Sequence, residues 1–207
     1  MVSQNIAIVD YGMGNLRSVQ NAIEHLGGKP VIVANPLELT AYGKIILPGV
    51  GAFGQAIGCL HRTGLDVALN QCREAGAHIL GICLGMQLMC SFSEEDGIHE
   101  GLNWFAAQVT RFLPDLGLSI PHMGWNSVDF ISEDPILAGL TSGSDAYFVH
   151  SYYVHCEDPT DVLASTEYGL RFSSMVRCGN VLGVQFHPEK SQEFGLGIIR
   201  NYLEMPC

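Results

Sequence analysis

Two short motifs carry the residues most able to do chemistry: Gly81-Ile82-Cys83-Leu84-Gly85-Met86-Gln87 near the middle of the chain, and Gly183-Val184-Gln185-Phe186-His187-Pro188-Glu189 near its end. Together they supply a thiol nucleophile, an imidazole to take its proton and a carboxylate to orient the imidazole. That set performs acyl transfer through a thiol. A glycine-flanked cysteine alone is more often a small core residue, and a lone histidine near a strand end is usually structural. The two motifs together are far more specific than either.

The surrounding residues indicate how these groups are positioned. Residues 77–82 form an apolar strand candidate, and Leu84, Met86, Leu88 and Met89 have helical spacing, so Cys83 falls where a buried strand turns sharply into a helix. Gly81 and Gly85 allow a strained turn and leave room beside the sulfur. Residues 180–186 predict a strand that Pro188 ends, with His187 and Glu189 two apart and able to project the same way. Upstream, strands are expected at 6–10, 31–34 and 44–47, with helices near 16–26, 54–60 and 64–76. This β-α alternation means a parallel sheet covered on both faces, with its site at the carboxyl ends of the strands. Shorter strands at 105–112, 127–130, 146–156, 163–166 and 173–177 and a last helix at 194–203 extend it into a mixed sheet. Gly12-x-Gly14 hints at a dinucleotide fingerprint, but Arg17 stands where a third glycine belongs, and a tight turn explains it better.

A tetrahedral oxyanion needs fixed donors. The N–H of Leu84 is one candidate, and the glycine-flanked loop Pro48-Gly49-Val50-Gly51, with Val50 and Gly51, is the natural source of another. At 207 residues, 47% hydrophobic and 15% charged, the chain suits one compact domain spanning 1–207. A formal net charge of −11 with ten Lys plus Arg argues against nucleic-acid or anionic-membrane partners. Seven scattered cysteines without a Cys-x-x-Cys pair fit reduced cytoplasmic thiols, not a disulfide framework or a zinc site. No apolar run approaches the roughly 18 residues that span a bilayer, and no metal or cofactor is expected.

Seven stretches (residues 11–18, 48–53, 81–88, 93–95, 121–126, 148–153 and 183–191) resemble, in order and over nearly the whole chain, the triad-type, class I glutamine amidotransferases. They are most similar to the group of glutaminase subunits of imidazole glycerol phosphate synthase. The resemblance implies a flavodoxin-like fold in which Cys83 attacks the glutamine side-chain amide, His187 protonates the leaving ammonia and Glu189 holds His187. It also implies that Gly51, Gln87, Glu95, His150 and Ser151 hold glutamine. The partner would be a (β/α)₈-barrel synthase forming a heterodimer, which uses the ammonia to make imidazole glycerol phosphate and AICAR for histidine. Asn15, Pro121, Met123, Trp125 and Asn126 would face it. Similar glutaminases also feed barrel synthases that amidate surface-polysaccharide sugars, and a non-catalytic flavodoxin-like binding module is a third reading. Residues 101–105 and the nearly uncharged connection 113–120 depart from the family's usual wording.

Overall fold

The computed structural model describes residues 5–113 and 118–206. Its first half alternates β1 (Asn5–Val9), α1 (Leu16–His25), β2 (Lys29–Val33), α2 (Pro36–Leu39), β3 (Lys44–Gly49), α3 (Phe53–Thr63), α4 (Leu65–Glu74), β4 (His78–Cys83) and α5 (Leu84–Leu88). Strands β5 (Cys90–Ser93), β6 (His99–Glu100), β7 (Phe105–Arg111), β8 (His122–Phe130), β9 (Ser144–His150), β10 (Tyr152–Cys156), β11 (Val162–Glu167), β12 (Arg171–Cys178) and β13 (Val181–Val184) follow, then α6 (Gln192–Glu204). The principal sheet order is β2-β1-β3-β4-β13-β12-β10-β7-β5-β6, with β11, β8 and β9 branching from β12. From β2 to β13 every neighbour pairs in parallel, and β12 then turns antiparallel. The mixed α/β sheet expected from the sequence is the one observed.

Alternation along the central strands explains the layering, because successive side chains leave a strand on opposite faces. Ala7, Val9, Ile45 and Leu47 pack with Phe53, Leu60 and Leu69 of α3 and α4 on one face. Ile6, Ile8 and Ile46 pack with Ile23 of α1 and Ile198 and Tyr202 of α6 on the other. Strands covered on both sides must be apolar throughout, which is why they read as continuous hydrophobic runs.

Several boundaries differ from the sequence reading. The run 146–156 is two strands, broken at Ser151, and β8 starts at His122 instead of residue 127. Strands β5 and β6 have no counterpart among the expected elements, and α5 is a short helix of five residues. The reason lies in residues 101–105. The N–H groups of Leu102, Asn103 and Trp104 bond the carbonyls of Leu88, Cys90 and Met89, taking the chain away from further helix. A Cβ on Gly101 would stand 2.2 Å from the Cys90 carbonyl oxygen, so that approach needs glycine. The Gly12 turn is tight, with φ +90°. Residues 114–117 of the uncharged connection and Cys207 lie outside the described residues.

Candidate active site

Register brings the reactive segments together. In the parallel pairing Gly49 lies opposite Cys83 on one side of β4, and Val184 lies opposite Ile82 on the other. The thiol therefore sits between the candidate oxyanion loop and the strand leading to His187. Cys83 adopts φ +54°, ψ −111° at the strand-to-helix junction, a region that costs an L-residue on the order of 1–3 kcal/mol. Gly81 and Gly85 serve this elbow through the close approach of neighbouring backbone. A Cβ on Gly85 would lie 1.8 Å from the Leu47 carbonyl oxygen, and one on Gly81 would lie 2.7 Å from the Met86 nitrogen. Both glycines admit neighbouring backbone.

His187 Nδ1 lies 2.9 Å from Glu189 Oε1. This pairing arises otherwise than predicted: β13 ends at Val184, and Pro188–Lys190 is a 3-10 turn that brings Glu189 back under the imidazole. The Ser191 hydroxyl bonds the His187 carbonyl at 2.6 Å, and the His187 N–H donates to the Tyr147 carbonyl at 2.9 Å, fixing the segment. Both side chains are almost fully buried. Burial alone would lower the imidazole pKa, but the Cys83 thiol and the Glu189 carboxylate outweigh it and raise it to about 9. Nε2 has no other partner among the described residues and is the nitrogen left for the thiol.

A cavity of about 390 Å³ opens over the sulfur, lined by Val50, Gly51, Leu84, Gln87, Glu95 and His150 among others. Pro121, Ser151 and His187 complete its rim. Thus all five residues expected to hold glutamine and all three oxyanion candidates meet here. Glu95 Oε2 accepts the Phe53 N–H at 2.6 Å, anchoring the carboxylate at the start of α3; among the described residues it is the one acidic side chain lining the cavity. Gln87 donates both amide hydrogens inside the protein, to the Tyr152 carbonyl at 2.9 Å and Gln185 Oε1 at 3.1 Å, leaving its oxygen as an acceptor. His150 has neither ring nitrogen free: Nδ1 pairs with the Tyr152 carbonyl and Nε2 with His122. Its ring borders the cavity without offering a hydrogen bond to a ligand. Gln185, absent from the sequence candidates, places Nε2 3.7 Å from Cys83 Sγ. A glutamine two residues before His187 in an apolar strand is the signal that could have found it.

Of the partner-facing candidates, Pro121, just before β8, and Met123 and Trp125 on β8 are exposed, and the Trp125 ring meets Tyr147 edge-on at 6.0 Å. Asn126 is half-buried with its amide engaged by its own chain. Asn15 sits in a narrow cleft beside Pro48 and Glu189. A separate depression near Phe130 and Leu140 holds no comparable chemistry, since its Asp134 is paired with Arg177 at 2.8 Å. Among the described cysteines only Cys83 lines the catalytic cavity.

A cysteine elbow, a histidine–carboxylate pair and an adjoining glycine loop at the carboxyl edge of a parallel sheet define a thiol amidohydrolase of one particular class. The class-I glutamine amidotransferase family model matches residues 7–204, and the chain belongs to that family. Within it the chain groups with proteins named imidazole glycerol phosphate synthase subunit HisH. The one from Moorella thermoacetica is 48% identical over 97% of this chain and 94% of its own length. That from Methanosarcina acetivorans is 48% identical over 98% and 99%. Among solved structures, PurLQS from Thermotoga maritima superposes with a TM-score of 0.75 at 22% identity, covering 98% of both chains. A glutamine amidotransferase from Thermotoga maritima gives 0.68 at 13%, covering 99% of this chain and 98% of its own. At such identities these two speak for the fold.

Proposed function

We propose that the chain is the glutaminase subunit of an imidazole glycerol phosphate synthase, hydrolysing L-glutamine and delivering ammonia to a barrel cyclase subunit in histidine biosynthesis. The observation that carries this reading is the His187–Glu189 pair set against Cys83 at the floor of a cavity ringed by the glutamine-binding candidates.

The thiol proton passes to His187 Nε2, and the imidazolium is stabilised by Glu189. The sulfur attacks the amide carbon. The oxyanion then forms beside Leu84 and the Val50–Gly51 loop. His187 returns the proton to the departing ammonia, leaving a γ-glutamyl thioester, and next acts as base for the water that releases glutamate. Glu95 suits the substrate ammonium, and the Ser151 hydroxyl suits its carboxylate. Free ammonia protonates in water, so a protected passage to the partner accompanies this chemistry. The strip bearing Pro121, Met123 and Trp125 adjoins the cavity rim and is the surface for that partner.

Relatives at 45–48% identity bear the imidazole glycerol phosphate synthase name, which does not favour a polysaccharide-amidating partner. The assembled triad disfavours a non-catalytic module. The test is a glutaminase assay on the purified chain, alone and with the barrel cyclase and its acceptor. Slow hydrolysis alone and acceleration by the liganded partner are expected: Val50 and Gly51 are exposed, which leaves a peptide rotation there free to gate the oxyanion donor. The ligand drives that change only by binding the active arrangement more tightly. Unchanged high activity on adding the partner refutes the gating. A Trp125→Ala chain should bind the cyclase about tenfold or more weaker while keeping its fold.

A further inference from the structure

Reading Cys83 as the nucleophile leaves Gln185, buried beside its sulfur, without a task. We propose that Gln185 is a positioning residue for the Cys83 sulfur, oriented through Gln87 by the Tyr152 carbonyl, and that this carbonyl is held in place by a hydrogen-bonded arm running from Asn126 on β8 through His122 and His150. The inference rests on the glutaminase reading above.

The direction of every link follows from elementary donor and acceptor chemistry. The Tyr152 carbonyl can only accept, so His150 Nδ1, 2.8 Å away, carries a hydrogen. In a neutral ring Nε2 is then the acceptor, and His122 Nδ1, 3.1 Å from it, must donate. That leaves His122 Nε2 to accept from the Asn126 amide nitrogen at 3.2 Å. The same nitrogen donates its second hydrogen to the Glu167 carbonyl at 2.9 Å, while Asn126 Oδ1 accepts the Ser127 N–H at 2.9 Å. The Asn126 amide cannot flip without losing these bonds.

On the other side the Tyr152 carbonyl also accepts Gln87 Nε2, whose second hydrogen goes to Gln185 Oε1. Gln185 must therefore present its NH₂ group to Cys83. A flipped amide would set two NH₂ groups face to face and aim a carbonyl dipole at the sulfur. Both histidines stay neutral, as the scheme demands: burial lowers His150 to about 3 and His122 to about 4.

An N–H aimed at sulfur stabilises the thiolate both as the attacking group and as the leaving group when the thioester is hydrolysed. The arm's outer end, Asn126, neighbours Trp125 on β8. The arm bears on the sulfur through the placement of the Tyr152 carbonyl, on which both sides converge.

Packing offers the competing explanation, since His122 stacks on Tyr168 at 3.9 Å and on Phe148 at 4.8 Å. Two substitutions separate them. His122→Phe keeps a stacked ring and loses both hydrogen bonds; His122→Gln loses the ring but can accept from Asn126 and donate to His150. The full chain is assayed for iodoacetamide alkylation of Cys83, resolved by mass spectrometry. Its complex with the cyclase is assayed for kcat and KM. His122→Phe should slow alkylation and kcat by about threefold to tenfold, with His122→Gln restored to within about twofold of wild type. Gln185→Leu should lower both by about 10–100-fold, the worth of one charge-assisted hydrogen bond, with KM changed less than about threefold. If His122→Phe equals or exceeds His122→Gln, or if Gln185→Leu acts on KM alone, the inference is overturned. Were Cys83→Ala still to hydrolyse glutamine, the nucleophile reading itself would fall. An inactive Cys83→Ala beside His122 variants of the wrong order sinks the inference only.

Discussion

His187 and the His122–His150 pair are buried close to one another and yet differ in charge, the first holding a proton that the other two refuse. The first is raised to about 9, with an anionic oxygen of Glu189 at 2.9 Å and the Cys83 sulfur facing Nε2. The other two are lowered to about 4 and 3 by burial; they bond a carbonyl, an amide and each other, and the nearby His187 lowers His150 further. Burial pushes all three the same way, so the charge state is decided by what is buried alongside. A histidine that must hold a proton needs an anion with it. One that must donate from one nitrogen and accept at the other is better left neutral.

Removing the anionic side should give the largest effects. Cys83→Ala or His187→Ala is expected to lower kcat in the cyclase complex by about 10⁴–10⁶-fold, and the double variant should be little worse than either single one, because the groups act as a unit. Losses that multiply would break the comparison at its catalytic end. Glu189→Gln should be milder, about 10²–10⁴-fold. It should also move the alkaline limb of kcat/KM from near 9 to lower pH, since one of the two groups holding the proton is gone. A limb that stayed in place would mean the sulfur alone sets the imidazolium.

The smallest effect concerns stability. The raised His187 contributes stability that is full below its unfolded value near 6.5 and is lost as pH climbs through about 9. For the depressed pair the sign reverses. The unfolded chain takes up protons below about 6.5 that folded His122 and His150 refuse, so stability drains away as pH falls towards 4 and 3. His122→Gln removes one of these groups, and the drop in Tm between pH 7 and pH 5 should shrink by a few degrees. An unaltered drop would show that His122 titrates normally.

The charged half of this comparison is legible in the sequence, but the neutral half is not. Cys83, His187 and Glu189 announce themselves because each is a reactive type in a glycine- or proline-punctuated motif, and β-α alternation places them at strand ends. The hydrogen-bonded chain depends on contacts between residues far apart in sequence, such as Gln87 with Gln185 or His122 with His150, and no local pattern encodes a tautomer. Hence the family resemblance points His150 at glutamine, while its ring nitrogens are engaged within the protein. Strand breaks escape the sequence for a related reason. Residues 146–156 are uniformly strand-forming, and only their pairing, with β8 before Ser151 and with β7 after it, divides them.

The backbone of Cys83 has a consequence for anyone wishing to harden this protein. At φ +54°, ψ −111° a β-carbon is unwelcome whatever the side chain. Glycine is therefore the residue the main chain prefers there, and Cys83→Gly should melt above Cys83→Ala by several degrees, although neither can react. Selection for heat resistance alone would erase the thiol. The conformational tension at that hinge is a standing tax on thermal endurance, kept because the reaction requires a sulfur where the fold would choose a hydrogen.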